Sequence, residues 1–329
     1  MSGCKPVIAV AGAGRMGTGI AQVFACAGHR VKLIDLKKRS GDEEQFVLHN
    51  ALEQIKENLK FLSSLHVFEE KLVEQILNRI SCHDITSAAE ALPEAGIVFE
   101  AVPEVMEIKK TALTFISSLV GSETLIASTT STFLVETLSS YVKGPERFMN
   151  THWLNPAYLI PLVEVSPGEN TSPVAIQDMF TLLESAGKVP VRCAPTPGFI
   201  VPRIQALAMN EAARLVEEGV ASPEEIDRAT RVGFGLRFAI LGLIEFIDWG
   251  GGDILYYASN YLKDSLRDNK FAPPSIISEN MEKGKTGLKA GQGFYDFTDR
   301  DVSAYRRETI AKFVDLLKHL GFLAYPQEE

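Results

Sequence analysis

Residues 7 to 35 leave this chain few folds to choose from. Val7 to Ala11 is an apolar run of strand length, and Gly12-Ala13-Gly14-Arg15-Met16-Gly17 follows it at once. A helical stretch then runs from about Met16 to Ala27, where Gly28 is placed to stop it. Val31-Lys32-Leu33-Ile34-Asp35 is a second strand ending in an acid. Strand, glycine turn, helix, strand and terminal acid together form a dinucleotide-binding unit. Gly12 permits the tight turn, Gly14 lets the main chain approach a pyrophosphate, and Gly17 lets helix lie against strand; Arg15 and Met16 belong to the same loop. Asp35, 18 residues after Gly17, is placed to accept hydrogen bonds from a ribose diol and to repel a 2′-phosphate. NAD is therefore the expected cofactor, with Lys37 and Lys38 working against its advantage over NADP.

Further strands are expected over Arg79–His83, Ile97–Ala101, Leu125–Ser128, Arg147–His152, Leu162–Val165 and from Val189 to Cys193, mostly separated by helical stretches. That alternation predicts an α/β fold, a Rossmann-type doubly wound, largely parallel sheet. Two apolar stripes, one on Ala51, Leu52, Ile55, Leu59 and Leu62 and one on Leu72, Val73, Ile76 and Leu77, predict a helical hairpin insertion near 43–79. Its bland reading is packing; Lys56 and Lys60 are candidates to touch an anionic substrate. Thr196-Pro197-Gly198 marks a change to continuous helical periodicity, so an NAD-binding domain is expected over 1–195 and a smaller all-helical domain over 196–329. Within the latter, Ser222-Pro223-Glu224-Glu225 is a capping box. Apolar surface such as Phe238–Ile247 predicts homodimerisation through it, an interdomain core being the equal alternative.

A net charge of −9 argues against nucleic acid as a partner. The apolar run Phe238–Ile247 is too short to span a membrane and is interrupted by Glu245. With no leader-like start, and with Cys4, Cys26, Cys82 and Cys193 scattered and unpaired in sequence, a reduced cytoplasmic protein without a metal site is expected.

Proton chemistry points to one segment. His152 ends an apolar strand, Asn155-Pro156 follows, and Glu164 lies between Val163 and Val165 in the next. A carboxylate in such a strand must find a partner or be neutralised. A neighbouring imidazole satisfies it and becomes an oriented general base near neutral pH. Most single histidines are satisfied core residues, and Glu164 weighs against that reading here. In the hydroxyl cluster Thr129-Thr130-Ser131-Thr132, Ser131 or Thr132, taken alone, reads as the N-cap of the next helix.

With these residues in place the chain resembles the L-3-hydroxyacyl-CoA dehydrogenase family over nearly its whole length. Seven ordered motifs carry the likeness: Gly12-x-Gly14-x-x-Gly17, Glu100-Ala101-Val102-Pro103-Glu104, Ser128-Thr129-Thr130-Ser131, His152-Trp153-Leu154-Asn155-Pro156, Leu162-Val163-Glu164-Val165, Thr196-Pro197-Gly198-Phe199-Ile200-Val201, and the run from Gly287 to Tyr295. The resemblance implies that His152 is the catalytic histidine and Glu164 the acid that orients it. It implies further that Ser131 contacts the reacting oxygen and the nicotinamide side, that Asn155 lies against cofactor and substrate, and that Glu104, Lys109 and Lys289 contact the cofactor. The implied substrate is a short-chain L-3-hydroxyacyl-CoA, oxidised at its 3-hydroxyl.

Two departures touch the substrate. Where the family reads Gly-Phe-Ile-Val-Asn-Arg, this chain has Pro202 in place of the asparagine, and the segment Gly235–Leu243, with Arg237, is altered. The altered segment looks more like the branch containing λ-crystallin/L-gulonate, carnitine and pyridine-carboxylate dehydrogenases, which act on small free acids. That is the alternative substrate class. Hydroxyisobutyrate/phosphogluconate-type enzymes share the glycine start but use a lysine acid/base, and nothing here replaces the His152–Glu164 pair with one. A non-catalytic nucleotide-binding protein on the same fold is the reading from outside enzymology; retention of His152, Glu164, Ser131 and Asn155 together speaks against it.

Overall fold

The computed structural model describes residues 5–323, so Cys4 lies outside the described residues. The chain divides after Ala208 into two compact units. The first is built on eight strands: β1 (Ile8–Ala11), β2 (Val31–Ile34), β3 (Ile80–His83), β4 (Ile97–Glu100), β5 (Leu125–Ser128), β6 (Phe148–Trp153), β7 (Leu162–Pro167) and β8 (Val189–Arg192). They form one sheet in the order β3-β2-β1-β4-β5-β6-β7-β8. Every neighbouring pair is parallel except β6 and β7, which are antiparallel. The doubly wound, largely parallel sheet read from the sequence is the sheet observed. Its helices are α1 (Arg15–Cys26), α2 (Gly41–Ser64), α3 (Leu72–Leu77), α4 (Ala88–Ala91), α5 (Met106–Leu119), α6 (Val135–Ser139) and α7 (Pro173–Ser185); α8 (Val201–Glu217) runs across the division.

Strand residues are apolar almost without interruption because both faces of the sheet are covered. Alternation sorts them: Ile8, Val10, Leu33, Phe99 and Ala127 join one core, while Ala9, Ala11, Ile34, Val98 and Ile126 join the other. In the first core Phe24 stacks on Phe99 at 5.2 Å and Trp153 meets Phe99 edge-on at 5.8 Å. Each such buried side chain contributes about 1.5–3 kcal/mol.

The second unit is helical: α9 (Pro223–Ala229), α10 (Leu236–Ile240), α11 (Leu243–Gly250), α12 (Gly252–Leu266), α13 (Ser275–Glu282) and α14 (Val302–His319). Ser222 caps α9 by accepting from the Glu225 amide at 3.3 Å, with Pro223 in the first turn. Asp248, buried on α11, accepts the amides of Phe294 and Tyr295 and so fastens the loop that carries Lys289. Among the described residues no helix is long and apolar enough to cross a membrane.

Candidate active site

Because β1 lies between β2 and β4, the chain leaves it in opposite directions on its two sides, and a crevice opens at the carboxyl ends of those strands. Gly12 turns the main chain there with φ +135°, and a Cβ on it would lie 2.3 Å from the Ala101 carbonyl oxygen. A Cβ on Gly17 would come within 1.7 Å of the Gly12 oxygen, so the glycines allow turn, helix and β4 to meet. Gly14 is the N-cap of α1 with no side-chain cap, and a Cβ there would enter open space. An uncapped helix start facing a cleft is an anion site, and a dinucleotide pyrophosphate fits it. The cleft has a volume of about 1190 Å³ and runs from Gly12–Met16 and Asp35 at one end to Ser131, His152 and Asn155 at the other.

Asp35 is more encumbered than its place at the strand end implies. Its Oδ1 accepts the Lys37 amide at 3.2 Å, and its Oδ2 accepts Arg39 Nε at 2.6 Å. Arg39 also lines the cleft. The cation paired with Asp35 is thus Arg39, four residues on; Lys37 gives Asp35 its amide and also lines the cleft. The i,i+4 spacing of opposite charges was the available signal.

The hydroxyl cluster does not cap a helix. The next helix, α6, starts at Val135 behind Leu134, with no side-chain cap. Instead, one oxygen of Glu104 accepts from the Thr130 and Thr132 hydroxyls and from the amides of Ser131 and Thr132. Its other oxygen lies 3.3 Å from Lys109 Nζ. Burial works to raise the Glu104 pKa, but the two threonine hydroxyls and Lys109 outweigh it and hold the carboxyl below its ordinary value. Ser131 is thereby fixed, exposed, in the cleft wall. Lys109 is fully buried, paired with Glu100 at 2.9 Å, and Ser128 donates to the same glutamate. It therefore sits behind the cleft wall, bracing Glu104. Nothing in the helix start Met106-Glu107-Ile108 signals this burial in the sequence.

On the other side, antiparallel pairing sets His152 directly opposite Glu164. His152 Nδ1 lies 2.7 Å from Glu164 Oε2, and Glu164 is wholly buried. The other oxygen, Oε1, accepts the amides of Ile200 and Val201, both at 2.8 Å, at the start of the 17-residue helix α8. Burial would raise this carboxyl, yet the His152 hydrogen bond and the two amides prevail and its pKa falls below the ordinary value. An ionised carboxylate on Nδ1 requires the proton there, which leaves Nε2 as the acceptor. The ring also stacks on Phe199, centroids 5.2 Å apart and planes 10° apart. Phe199 holds φ +44°, an uncommon conformation for a non-glycine, beside Gly198 at +79°. Beyond its place in the Thr-Pro-Gly-Phe run, nothing in the sequence pointed to this aromatic ring stacked on the imidazole.

Asn155 is exposed in the same cleft, in the link between β6 and β7. His152, Ser131, Asn155, Glu104, Gly12, Gly14, Arg15, Met16 and Asp35 therefore line one cavity, with Glu164 and Lys109 behind it. Lys289 is exposed on a 3-10 turn, Leu288–Ala290, of the second unit. Lys56 is drawn to Glu74 at 3.6 Å, and Pro202 occupies the first turn of α8, where no amide is needed. Arg237 is exposed on α10, its guanidinium 5.5 Å from the Phe246 ring centroid.

A glycine-turn dinucleotide cleft with a carboxylate-held imidazole at its far end defines a nicotinamide-dependent dehydrogenase. Comparison with known proteins places it more closely. The profile of the 3-hydroxyacyl-CoA dehydrogenase NAD binding domain matches residues 7–196, and that of the C-terminal domain matches 198–297. The chain belongs to this family, and is an NAD-dependent dehydrogenase acting on CH–OH groups. It is 31% identical to the 5-formyl-3-hydroxy-2-methylpyridine 4-carboxylate 5-dehydrogenase of Mesorhizobium japonicum, over 93% of this chain and 96% of that one. To the 3-hydroxybutyryl-CoA dehydrogenase of Clostridioides difficile it is 33% identical, over 88% and 99%. The crystal structure of a 3-hydroxyacyl-CoA dehydrogenase from Archaeoglobus fulgidus superposes with a TM-score of 0.76 at 30% identity, covering 97% of this chain and all of that one.

Proposed function

We propose that the chain oxidises the 3-hydroxyl of a short-chain L-3-hydroxyacyl-CoA to the 3-keto product, with His152 and Glu164 handling the proton. The observation that carries this reading is the 2.7 Å contact from His152 Nδ1 to a glutamate already clamped by two amides. The bound dinucleotide supplies the hydride acceptor. His152 Nε2 takes the hydroxyl proton, and Glu164 steadies the imidazolium that results. Ser131 holds the reacting oxygen, Asn155 orients substrate against cofactor, and Glu104, braced by Lys109, keeps Ser131 in place. Gly12, Gly14, Arg15, Met16 and Gly17 shape the pyrophosphate site and Asp35 takes the ribose; Lys289 stands as a cofactor contact on the family resemblance alone.

The thioester is favoured because the hydroxybutyryl-CoA relative matches 99% of its own length. A small free acid is the second reading, supported by Pro202, Arg237 and the pyridine-carboxylate relative. The ratio of kcat/KM for 3-hydroxybutyryl-CoA to that for free 3-hydroxy acids decides between them. We expect the thioester to lead by on the order of 10² or more, the CoA moiety supplying remote binding energy. Faster turnover of free acids, with KM for them raised by Arg237→Met, would establish the second reading instead.

NAD is expected to be used with a kcat/KM at least about tenfold above NADP, since Asp35 faces a 2′-phosphate with like charge. Comparable efficiencies would mean that Arg39 neutralises the carboxylate well enough to admit the phosphate.

We also infer a homodimer formed through the helical unit. Helix α12 buries none of its residues, and Ile254, Tyr257 and Tyr261, on one face of it, are 64%, 65% and 71% exposed. Sedimentation velocity is expected to give twice the chain mass, and Tyr257→Glu with Tyr261→Glu to halve it. A wild-type sedimentation at the single-chain mass would refute this.

A further inference from the structure

Lys188 is a buried cation with no role in the chemistry described so far. It precedes β8, is 7% exposed, and among the described residues makes no ion pair with a carboxylate. Its Nζ donates to the carbonyl oxygens of Ala157 at 2.6 Å and Ile160 at 2.8 Å, and stands 5.6 Å from the Trp153 ring centroid. Burial pushes its pKa down to about 8. Keeping an ammonium in such a place is costly when a methionine would fit the same stem. Its contacts show what the group does there.

The two carbonyls belong to a single turn, in which the amides of Leu159 and Ile160 both bond to the Pro156 oxygen. On its far side this turn packs Ala157 against α1, where a Cβ on Gly19 would sit 3.0 Å from the Ala157 Cβ. Just beyond it, the Val189 amide bonds to the Pro161 oxygen and joins the segment to β8. Residues 154–161 link the strand that ends His152-Trp153 to the strand that carries Glu164, and their cleft side presents Asn155. The segment has no regular sheet partners of its own. Lys188 supplies the fixed point: one ammonium at the carbonyl end of the turn, where a positive charge is also favoured by the peptide dipoles.

We propose that Lys188 is a positioning residue, a buried clamp on the 154–161 turn that sets the place of Asn155 in the cleft. The proposal rests on the assignment of Asn155 to substrate and cofactor orientation. Lys188→Met leaves two carbonyls without their donor and frees the turn. A displacement of about 1 Å near reacting groups lowers kcat on the order of 10- to 100-fold.

The experiment is a double-mutant cycle on the full-length enzyme with Lys188→Met and Asn155→Ala, reading kcat, the Kd of NADH by fluorescence, and amide hydrogen exchange. Expected results are a lowered kcat in Lys188→Met, a Kd for NADH within about twofold of wild type, and faster exchange at Leu159 and Ile160. In the Asn155→Ala background Lys188→Met should cost little more, because both changes remove one interaction. Lys188→Gln, which keeps amide donors without the charge, is expected to fall between; it carries the same cycle if Lys188→Met does not fold. Unchanged kcat in Lys188→Met, or losses that simply multiply in the double variant, would overturn the proposal. Undiminished turnover in Asn155→Ala alone would overturn the assignment of Asn155, and the proposal with it. A loss in Asn155→Ala with none in Lys188→Met would overturn the clamp alone.

Discussion

His152→Ala is expected to lower turnover by on the order of 10²–10⁴ while NADH binds as before. The separation follows from the layout of the cleft. Gly12–Met16 and the uncapped start of α1 form one end, proposed for the pyrophosphate, and the imidazole lies at the other end, near Ser131 and Asn155. Removing the ring deletes the proposed acceptor for the hydroxyl proton and leaves the glycine turn alone. Fluorescence titration with NADH and steady-state kinetics on one preparation make the comparison. A variant that kept near-normal turnover and native fold would remove His152 from the mechanism. Loss of NADH binding together with turnover would instead mean that the histidine supports the cofactor site.

Glu164→Gln is expected to cost nearly as much, on the order of 10²–10⁴, although it changes little in volume. The carboxylate accepts on both oxygens, from His152 at Oε2 and from the Ile200 and Val201 amides at Oε1. A glutamine can satisfy the two amides with its carbonyl oxygen. Its NH₂ then faces Nδ1, which must become the acceptor, and the ring proton moves to Nε2. The base would be present, in place and protonated on the wrong nitrogen. A second readout follows from the carboxyl group's lowered pKa. Its folded-state value lies below its ordinary 4.5, so its contribution to stability is fully present above that pH. The contribution disappears as pH falls from 4.5 through the lower folded value. Glu164→Gln should flatten that part of the stability curve, measurable by denaturant unfolding at stepped pH. An unchanged acid limb would show that the group titrates normally in the folded chain.

How far the sequence reveals this molecule depends on whether a residue's partner is local. The first βαβ unit was legible because turn, helix and acid are consecutive, and β5 is observed over the expected Leu125–Ser128. Other strand ends moved slightly: β6 runs Phe148–Trp153, one residue later than expected, and β7 extends to Pro167. The reversal of direction between β6 and β7 had no local sign, yet it brings His152 and Glu164 face to face. Charged residues were the hardest to place. Lys109, expected at the cofactor, and Lys188 are both buried because distant groups, Glu100 and Glu104 for one and two carbonyls for the other, receive them. Thr132 looked like a cap because the acceptor of its hydroxyl, Glu104, lies 28 residues away.

The claim that His152 and Glu164 act as one unit is tested most directly by the double variant His152→Ala/Glu164→Gln, measured beside each single change at saturating NAD. If Glu164 works through the imidazole, the double variant turns over no more slowly than His152→Ala alone, because the ring it orients is already gone. If the two losses multiply, Glu164 contributes independently of His152, and the pair is not the proton-handling unit described above.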